Sequence, residues 1–325
     1  MKKTAIAPSN IAFIKYWGRK NEALRLPENA SISMNLSNLL TTTTVEFLST
    51  LKKDDITINH AKNEVQEKRV IEHLDRIRKI ANIQTFAKVV SVNNFPTGTG
   101  LSSSASGFAA LTIAAAAAAS LSLSEKELSI FARQGSGSAC RSIPNGFVEW
   151  KDGDTSDTSY AVSLYPANYW EIADVVAVVS SSQKDVPSAK GQSLAQSSIF
   201  FETRKKNMSQ KITDCKKFLQ EKDFTKFGEL IEQEALELHA IYLTSKPSLI
   251  YLLPETLQVI KEIKKIRENG LAIYFTLNTG QDVHIICLQK DIEKVKQLIE
   301  KIPEVKKTIV NYPATGATLV ENDLF

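Results

Sequence analysis

A glycine- and serine-rich segment runs directly into an alanine-rich one, and this junction constrains the fold more than any other feature of the chain. Residues 96–106 read PTGTGLSSSAS, and residues 111–121 are mostly alanine. Alanine has the best intrinsic helix propensity, so the sequence predicts a helix from about Ser103 to Leu121. The unpaired N–H groups at the start of that helix would face a loop rich in hydroxyls, which is typical of a phosphate cradle.

The loop matches neither of two common nucleotide motifs. It lacks the Gly-Lys-Ser/Thr of a Walker A loop, and its spacing breaks the GxGxxG of a dinucleotide fingerprint. Gly98 and Gly100 supply backbone freedom, and four serines supply hydroxyl donors. A Gly/Ser loop before a helix is also commonly a plain connection, so both interpretations stay open on the loop alone.

Two other segments place a cation in an unusual setting. Lys15 interrupts the otherwise apolar run IAFIKYW, where a lysine must either extend its amine to solvent or meet an anion. Arg141 ends the flexible segment GSGSACR, where it could bind an anion or could simply be a solvated loop arginine. The residues alone do not decide between an anion site and solvated side chains.

Charge and composition argue against several classes of partner. The 325 residues include 40 Lys and Arg against 36 Asp and Glu without a basic block, so we expect no nucleic-acid binding. The most apolar stretch is shorter than the roughly 20 residues of a membrane span, so no membrane helix is expected. The N-terminus lacks the apolar run of a signal peptide, which predicts a cytoplasmic protein. The cysteines and histidines show no zinc-site spacing, so no structural metal is expected.

Periodicity predicts one compact body of strands and helices without a linker. The expected N-terminal elements are strands at 41–47, 87–92 and 175–179 and helices at 66–81, 103–121 and from Ser124, where Ser124 and Glu127 form a capping-box signature. The expected C-terminal elements are helices near 203–220, 224–239, 254–268 and 291–302 and strands at 271–277 and 283–288. A Gly-containing turn between the last two strands predicts antiparallel pairing around residue 280.

Five segments resemble those of mevalonate diphosphate decarboxylases, members of the superfamily of galacto-, homoserine, mevalonate and phosphomevalonate kinases. They are APSNIAFIKYWGRK, LPENASISMNL, NNFPTGTGLSSSASGFAAL, GSGSACRSIPNGFVEW and KDVPSAKGQ. The resemblance implies an α+β, two-lobed fold with the active site in the cleft. Residues 1–185 would form a nucleotide-binding α/β lobe of the ribosomal protein S5 domain 2-like type. Residues 186–325 would form a ferredoxin-like α+β lobe.

The resemblance also implies a homodimer and an ATP-dependent reaction, with Mg²⁺ accompanying the nucleotide. The γ-phosphate would pass to the tertiary 3-hydroxyl of mevalonate 5-diphosphate. Phosphate and CO₂ would then leave to give isopentenyl diphosphate. Holding an anionic substrate beside an anionic nucleotide requires several cations and many neutral donors.

Particular residues match the family's functional positions. Those that face the substrate or the transferring phosphate are Lys15, Arg69 and Arg141, of which Lys15 and Arg141 are the expected catalytic residues. Hydroxyl positions around the substrate are matched by Tyr16, Ser136, Ser138 and Ser188, and the ATP-phosphate loop by Gly98, Gly100, Ser102, Ser103 and Ser104. Arg19 is a further substrate-binding candidate at a position where the family usually has lysine. It keeps the charge but changes the donor geometry.

The sharpest departure from the family lies at residues 278–282. The family's Asp-Ala-Gly-Pro-Asn, whose aspartate lies next to the reacting hydroxyl, is replaced here by Asn-Thr-Gly-Gln-Asp. A neutral amide cannot accept the hydroxyl proton, and the loss of a general base typically costs about 10²–10⁴ in rate. Asn278 and Asp282 are both catalytic candidates, because Asp282 could take the role from four residues on. Alternatively, Asp282 is a solvated turn residue without a catalytic role.

An asparagine at position 278 is also compatible with a different mechanism or a different substrate. The enzyme could work by positioning alone, or it could be an ATP-independent decarboxylase of mevalonate 3,5-bisphosphate. Mevalonate 5-phosphate is a further candidate substrate. The rival functions are a small-molecule kinase of the same superfamily and a catalytically silent homologue that binds a nucleotide or metabolite.

Overall fold

The computed structural model describes residues 1–96, 100–180, 182 and 186–325. Its strands are β1 (Lys2–Ile14), β2 (Arg19–Asn21), β3 (Leu26–Pro27), β4 (Ser31–Leu48), β5 (Asp55–Ile58), β6 (Phe86–Asn93), β7 (Phe147–Trp150), β8 (Ala161–Tyr165), β9 (Ile172–Val178), β10 (Ile273–Thr276), β11 (Val283–Leu288), β12 (Lys307–Asn311) and β13 (Thr318–Val320). Its α-helices are α1 (Glu64–Ala81), α2 (Ser103–Ala118), α3 (Glu125–Gly135), α4 (Ser188–Gln192), α5 (Phe201–Glu221), α6 (Phe224–Thr244), α7 (Pro254–Glu268) and α8 (Ile292–Ile299). Short 3₁₀ helices occupy Gly137–Ser142, Ala195–Ser197 and Gln289–Asp291.

The larger sheet is built mainly from the first half of the chain. Its strands lie in the order β13-β1-β4-β6-β5, and β7 also pairs with β4 and carries β8. The pairings are antiparallel except for β5 with β6. Helices α1 and α2 pack on this sheet through an apolar core that includes Val70, Leu74 and Ile77 of α1. The alanines of α2 let that helix lie close to β1 and β4.

The second sheet has the order β10-β11-β9-β12 with antiparallel pairing. Strand β9 is buried along its whole length, which confirms the strand predicted from the VVAVV run. Helices α7 and α8 cover one face of this sheet in an apolar core that includes Val259, Ile263 and Val295. The predicted boundary between the two lobes, at residue 185, lies outside the described residues and stays a prediction.

Most of the predicted elements are present, with small differences at their ends. The capping box at α3 is confirmed, because Ser124 and Glu127 exchange side-chain and backbone hydrogen bonds. Helix α2 begins at Ser103 as predicted but ends at Ala118, and Ser120 follows with a left-handed φ of 59°. The antiparallel pairing of β10 with β11 around residue 280 is confirmed. None of the helices in the described residues combines the length and the apolar composition that a membrane span requires.

Candidate functional site

A cavity of about 380 Å³ lies where the start of α2, the end of β1, the 137–142 helix and the turn after β10 meet. The predicted site residues that line it are Lys15, Tyr16, Arg19, Arg69, Gly100, Ser102, Ser103, Ser104, Ser136, Ser138, Arg141, Ser188 and Asn278. Gly98 lies outside the described residues. Asp282 is not part of the lining. The fold therefore brings together distant segments of the chain, as the contact between Lys15 and Asn278, 263 residues apart, illustrates.

The loop before α2 leaves the start of that helix open to a ligand. Ser102 is the N-cap residue, and it has a left-handed φ of 56° without a side-chain hydrogen bond to the helix. Its hydroxyl oxygen instead accepts a hydrogen bond from Asn278 Nδ2, with 3.1 Å between the two atoms. The hydroxyls of Ser104 and Ser136 lie 3.2 Å apart across the cavity wall. Helix N–H groups that the cap does not satisfy are suited to phosphate oxygens.

Gly100 allows this loop to approach the turn after β10. Its φ is +115°, in the region that favours glycine, and a Cβ built there would lie 2.9 Å from the Cα of Gly280. The close approach joins the phosphate-loop candidate to the turn that carries Asn278. The two motifs singled out in the sequence thus form one wall of the cavity.

Lys15 is buried, with 2% of its surface exposed, so extension of its amine to bulk solvent is the wrong alternative. Its Nζ donates to the Ala12 carbonyl at 2.5 Å and to Asn278 Oδ1 at 3.4 Å. Burial lowers the pKa of Lys15 to about 7, and the charges of Arg141 and Arg204 act in the same direction. The cavity therefore contains an amine that can lose its proton near neutral pH.

Arg141 is also buried, so the solvated-loop alternative is wrong for this residue as well. Its Nη1 donates to Ser31 Oγ at 2.7 Å and its Nη2 to Asn10 Oδ1 at 3.1 Å. Within the described part of the chain its buried Nε has no hydrogen-bond partner. Burial lowers the pKa of Arg141, but a guanidinium stays charged at neutral pH. An anionic group in the cavity would satisfy both the charge and the unpaired N–H.

A second group of cations lies elsewhere along the lining. Arg19 donates from Nε to the Tyr16 hydroxyl at 2.7 Å, and Arg69 donates to the Gly135 carbonyl at 3.2 Å. Arg25 joins them, although the sequence analysis missed it. Burial lowers the pKa of Arg25 to about 10, and the like charges of Arg19 and Arg69 add to that effect. Among the described residues no aspartate or glutamate lines the cavity, which suits it to a highly anionic ligand.

Asn278 and Asp282 have different surroundings. His239, another residue that the sequence analysis missed, donates from Nε2 to the Asn278 carbonyl at 3.3 Å. Asp282 is 2% exposed and accepts the Val179 backbone N–H at 3.1 Å, so the solvated-turn alternative is wrong. Asp282 therefore supports the backbone just after β9 and does not line the cavity, so its catalytic role stays a prediction.

Two family profiles match the chain in succession. The first is described as the diphosphomevalonate decarboxylase-like N-terminal domain and covers residues 7–161. The second is the mevalonate 5-diphosphate decarboxylase C-terminal domain and covers residues 174–321. The chain belongs to the diphosphomevalonate decarboxylase family. This confirms the family assignment made from the sequence motifs.

Named members of the diphosphomevalonate decarboxylase family match over most of their length. The Candida albicans diphosphomevalonate decarboxylase is 37% identical over 313 residues, which is 91% of this chain and 86% of that protein. The protein of the same name from Danio rerio is 34% identical over 326 residues, or 94% of this chain and 81% of that protein.

Solved structures of the family confirm the two-lobed mixed α/β fold. A complex of MDDEF with MVAPP, AMPPCP and magnesium superposes with a TM-score of 0.93 at 37% identity and covers 99% of both chains. Mevalonate diphosphate decarboxylase from Staphylococcus aureus gives a TM-score of 0.93 at 36% identity and covers 98% of both chains.

Proposed function

We propose that the protein catalyses the ATP-dependent decarboxylation of mevalonate 5-diphosphate to isopentenyl diphosphate. The observation that carries this proposal is a cavity that combines the open start of α2 with several basic side chains and, among the described residues, no carboxylate. The basic residues are Lys15, Arg19, Arg25, Arg69 and Arg141. Such a cavity is suited to the diphosphate and the carboxylate of the substrate and to the phosphates of a nucleoside triphosphate, because cations and neutral hydrogen-bond donors are available for each anion.

The cations divide into two groups that suit the two ends of the substrate. Arg19, Arg25 and Arg69 form the group suited to the 5-diphosphate, with the Tyr16 hydroxyl beside them. Arg141 is suited to the substrate carboxylate, because its guanidinium is held from two sides and keeps an unpaired N–H. This division would orient the 3-hydroxyl toward Lys15 and the phosphate loop.

The nucleotide phosphates fit the start of α2. The left-handed Ser102, the close approach at Gly100 and the hydroxyls of Ser103 and Ser104 form a neutral cradle for them. Among the described residues no cluster of three His, Cys, Asp or Glu side chains could hold a metal ion. Mg²⁺ would therefore be held by phosphate oxygens of ATP with hydroxyls such as those of Ser103 and Ser104, and it would neutralise phosphate charge.

The reaction divides into two steps whose charges these residues can stabilise. In the first, the 3-hydroxyl loses its proton to a base, its oxygen bonds to the γ-phosphorus, and the bond from that phosphorus to the β–γ bridging oxygen breaks, which releases ADP. In the second, the bond from C3 to the phosphorylated oxygen breaks and the carboxylate carbon leaves as CO₂, and its bonding electrons form the new double bond. Arg141 would hold and orient the carboxylate before the second step, and this ion pair ends when the carboxylate carbon leaves as neutral CO₂.

Asn278 favours a second candidate, the ATP-independent decarboxylation of mevalonate 3,5-bisphosphate. An amide at this position would not repel a phosphate that is already bound to the 3-oxygen, whereas a carboxylate would. The amide also bridges the Lys15 amine and the Ser102 hydroxyl. This candidate needs no proton acceptor, because the 3-hydroxyl is already esterified.

A panel of three substrates tests these functions. The purified protein is incubated with mevalonate 5-diphosphate, mevalonate 5-phosphate or mevalonate 3,5-bisphosphate, each with and without ATP and Mg²⁺, and ADP and CO₂ are measured separately. The proposal expects both products from the 5-diphosphate only when ATP is present. CO₂ from the bisphosphate without ATP would establish the second candidate. ADP without CO₂ would indicate a kinase, and neither product from any substrate would indicate a silent homologue.

The cytoplasmic location, the homodimer and the boundary between residues 185 and 186 belong to this proposal. Cys140, Cys215 and Cys287 are free and buried, which supports a reducing compartment. The homodimer rests on the family resemblance. Analytical ultracentrifugation across a concentration series would give the mass of a dimer if it is correct and of a monomer if it is wrong.

A further inference from the structure

The cavity offers few groups that could accept the proton of the 3-hydroxyl. Among the described lining residues there is no aspartate, glutamate or histidine. The two tyrosines of the lining are Tyr16, which is half-buried, and Tyr242, which is buried, and desolvation raises the pKa of each phenol above its ordinary value, which keeps it protonated. The arginines stay protonated as well. Of the titratable side chains in the described lining, the Lys15 amine is left as the one that can take up a proton near neutral pH.

The hydrogen bonds of Lys15 fit a neutral amine. Its Nζ has two acceptors, the Ala12 carbonyl at 2.5 Å and Asn278 Oδ1 at 3.4 Å. A neutral amine has two N–H groups and one lone pair, so these two acceptors use its hydrogens and leave the lone pair for a proton from the cavity. A carboxylate at position 278 would instead hold the side chain as an ammonium, because opposite charges at this distance favour the charged form.

We propose that the Lys15 amine is the general base that takes the proton of the 3-hydroxyl, and that Asn278 makes this possible by contacting Lys15 through a neutral amide. This inference rests on the proposed ATP-dependent function. In the step, the lone pair of Nζ bonds to the hydroxyl proton, the electrons of the O–H bond form the new bond to the γ-phosphorus, and ADP leaves. The lysine becomes an ammonium beside the newly transferred phosphate, which its charge stabilises.

The charged groups around Lys15 support a neutral amine in the free enzyme. The pKa of Lys15 is lowered to about 7, and burial is the largest cause, with the charges of Arg141 and Arg204 acting in the same direction. Glu234 and Asp174 act in the opposite direction. His239 on α6 adds no charge at neutral pH, because burial lowers its pKa to about 4. Bound phosphates would raise the pKa of Lys15, so its proton should be harder to remove in the substrate complex than in the free enzyme.

The first experiment observes the protonation of Lys15 directly. The protein is labelled with ¹³C at the lysine Cε, and NMR follows the Cε shifts between about pH 5.5 and 10, with the exposed lysines as internal references near 10.4. Lys15→Met identifies the Lys15 signal by its disappearance. We expect Lys15 to titrate near pH 7 and Asn278→Asp to move that midpoint upward by at least about one pH unit. A midpoint above about 9 in the unsubstituted protein would overturn the proposal whatever the activity.

The second experiment measures ADP formation against pH. With Lys15 as the base, kcat/KM should fall about tenfold for each pH unit below about 7, and kcat should fall from a higher pH because bound phosphates raise the pKa. Lys15→Arg places a permanent positive charge at this position and cannot accept a proton, so it should lose at least about 10² of the rate with substrate still bound. Asn278→Asp should move the acidic limb toward the ordinary carboxyl range.

The outcomes separate this inference from the proposed function. An active enzyme with a flat profile between about pH 5.5 and 8.5, or with a Lys15→Arg variant near the parent rate, would overturn the base assignment and leave the proposed function standing. A Lys15 signal that titrates near pH 7 in a protein that forms no ADP from ATP and mevalonate 5-diphosphate would refute the proposed function, and the catalytic role with it.

Discussion

The Glu234 carboxylate accepts a hydrogen bond from the backbone N–H of Lys15, with 3.0 Å between the nitrogen and Oε1. Glu234 lies on α6 and is fully buried, and its other oxygen accepts Arg204 Nη1 at 3.0 Å and Lys211 Nζ at 2.8 Å. Arg204 also donates to the Lys15 carbonyl at 3.1 Å. A buried ion cluster on two helices therefore holds the backbone of the residue that we identify as the base.

Glu234→Gln should affect both stability and the pH profile. The change leaves Arg204 and Lys211 without a buried counter-charge, which should lower the free energy of unfolding by about 3–5 kcal/mol. It also removes a charge that raises the pKa of Lys15, so the acidic limb of kcat/KM should move to lower pH.

Glu237→Gln is the matched control, because Glu237 joins the same cluster through Lys211 but is partly exposed. Its cost should stay below about 1 kcal/mol. Urea unfolding of both variants checks the difference, and equal losses would contradict the role given to Glu234.

Gly100→Ala should weaken the nucleotide loop and the fold together. The new Cβ would meet the Gly280 backbone at a φ that disfavours alanine, so we expect a loss of about 1–3 kcal/mol in stability and weaker ATP binding. Gly107→Ala is the control, since it lies in α2 and its Cβ would meet nothing within 4 Å. That variant should be neutral or more stable by up to about 1 kcal/mol. Equal behaviour of the two variants in thermal unfolding and nucleotide titration would disprove the close-approach argument.

Arg141→Lys should lose most of the activity although the charge is kept. The guanidinium donates to Ser31 and Asn10 at the same time and still has an N–H for the substrate, a geometry that an ammonium cannot reproduce. We expect kcat/KM to fall by about 10²–10³ with the fold intact by circular dichroism, as for other lost charge-stabilising donors. Turnover within a fewfold of the parent would show that Arg141 only adds positive charge.

His73 should make the protein less stable in mild acid. It is buried against Thr112, whose hydroxyl donates to Phe108, so His73 Nε2 carries the proton that Thr112 accepts. Burial lowers the pKa of His73 from 6.5 to about 3. The unfolded chain therefore binds a proton that the native state excludes, and stability falls as pH drops from about 6.5 toward 3, by about 1.4 kcal/mol per pH unit.

His73→Gln should remove that contribution. Urea unfolding at about pH 7.5, 6 and 5 should give a constant difference from the parent above pH 6.5 and a shallower decline below it. Parallel curves over the whole range would show that His73 is protonated in the folded protein.

Local signals explain why much of the fold could be predicted from the sequence. The capping box of α3 and the continuous apolar run of β9 involve residues close together in the chain, and both are confirmed. Lys15 stood out because a lysine in an apolar run is rare and costly. These features depend on short-range chemistry that the sequence contains directly.

The rest of the site depends on contacts between distant segments. Arg25 reaches the cavity because its Nε binds the Gln134 carbonyl, 109 residues away. His239 contacts the Asn278 carbonyl, although the two residues are 39 positions apart in the chain. In the sequence alone, His239 is one of many residues of the amphipathic helix α6, and nothing nearby marks it as part of a site. The sequence makes Asp282 a candidate base because it follows Asn278 closely. In the structure the chain turns near Gly280, and the Asp282 carboxylate accepts a hydrogen bond from the Val179 backbone N–H. Sequence proximity does not determine which face of a turn a side chain occupies.

The ratio of ADP to CO₂ in a single reaction is the sharpest test of ATP-dependent decarboxylation by this protein. With ATP, Mg²⁺ and mevalonate 5-diphosphate, the proposed function predicts one ADP for each CO₂ and neither product when ATP is omitted. Release of CO₂ without ATP from a 3-phosphorylated substrate, or ADP accumulating without CO₂, would contradict it.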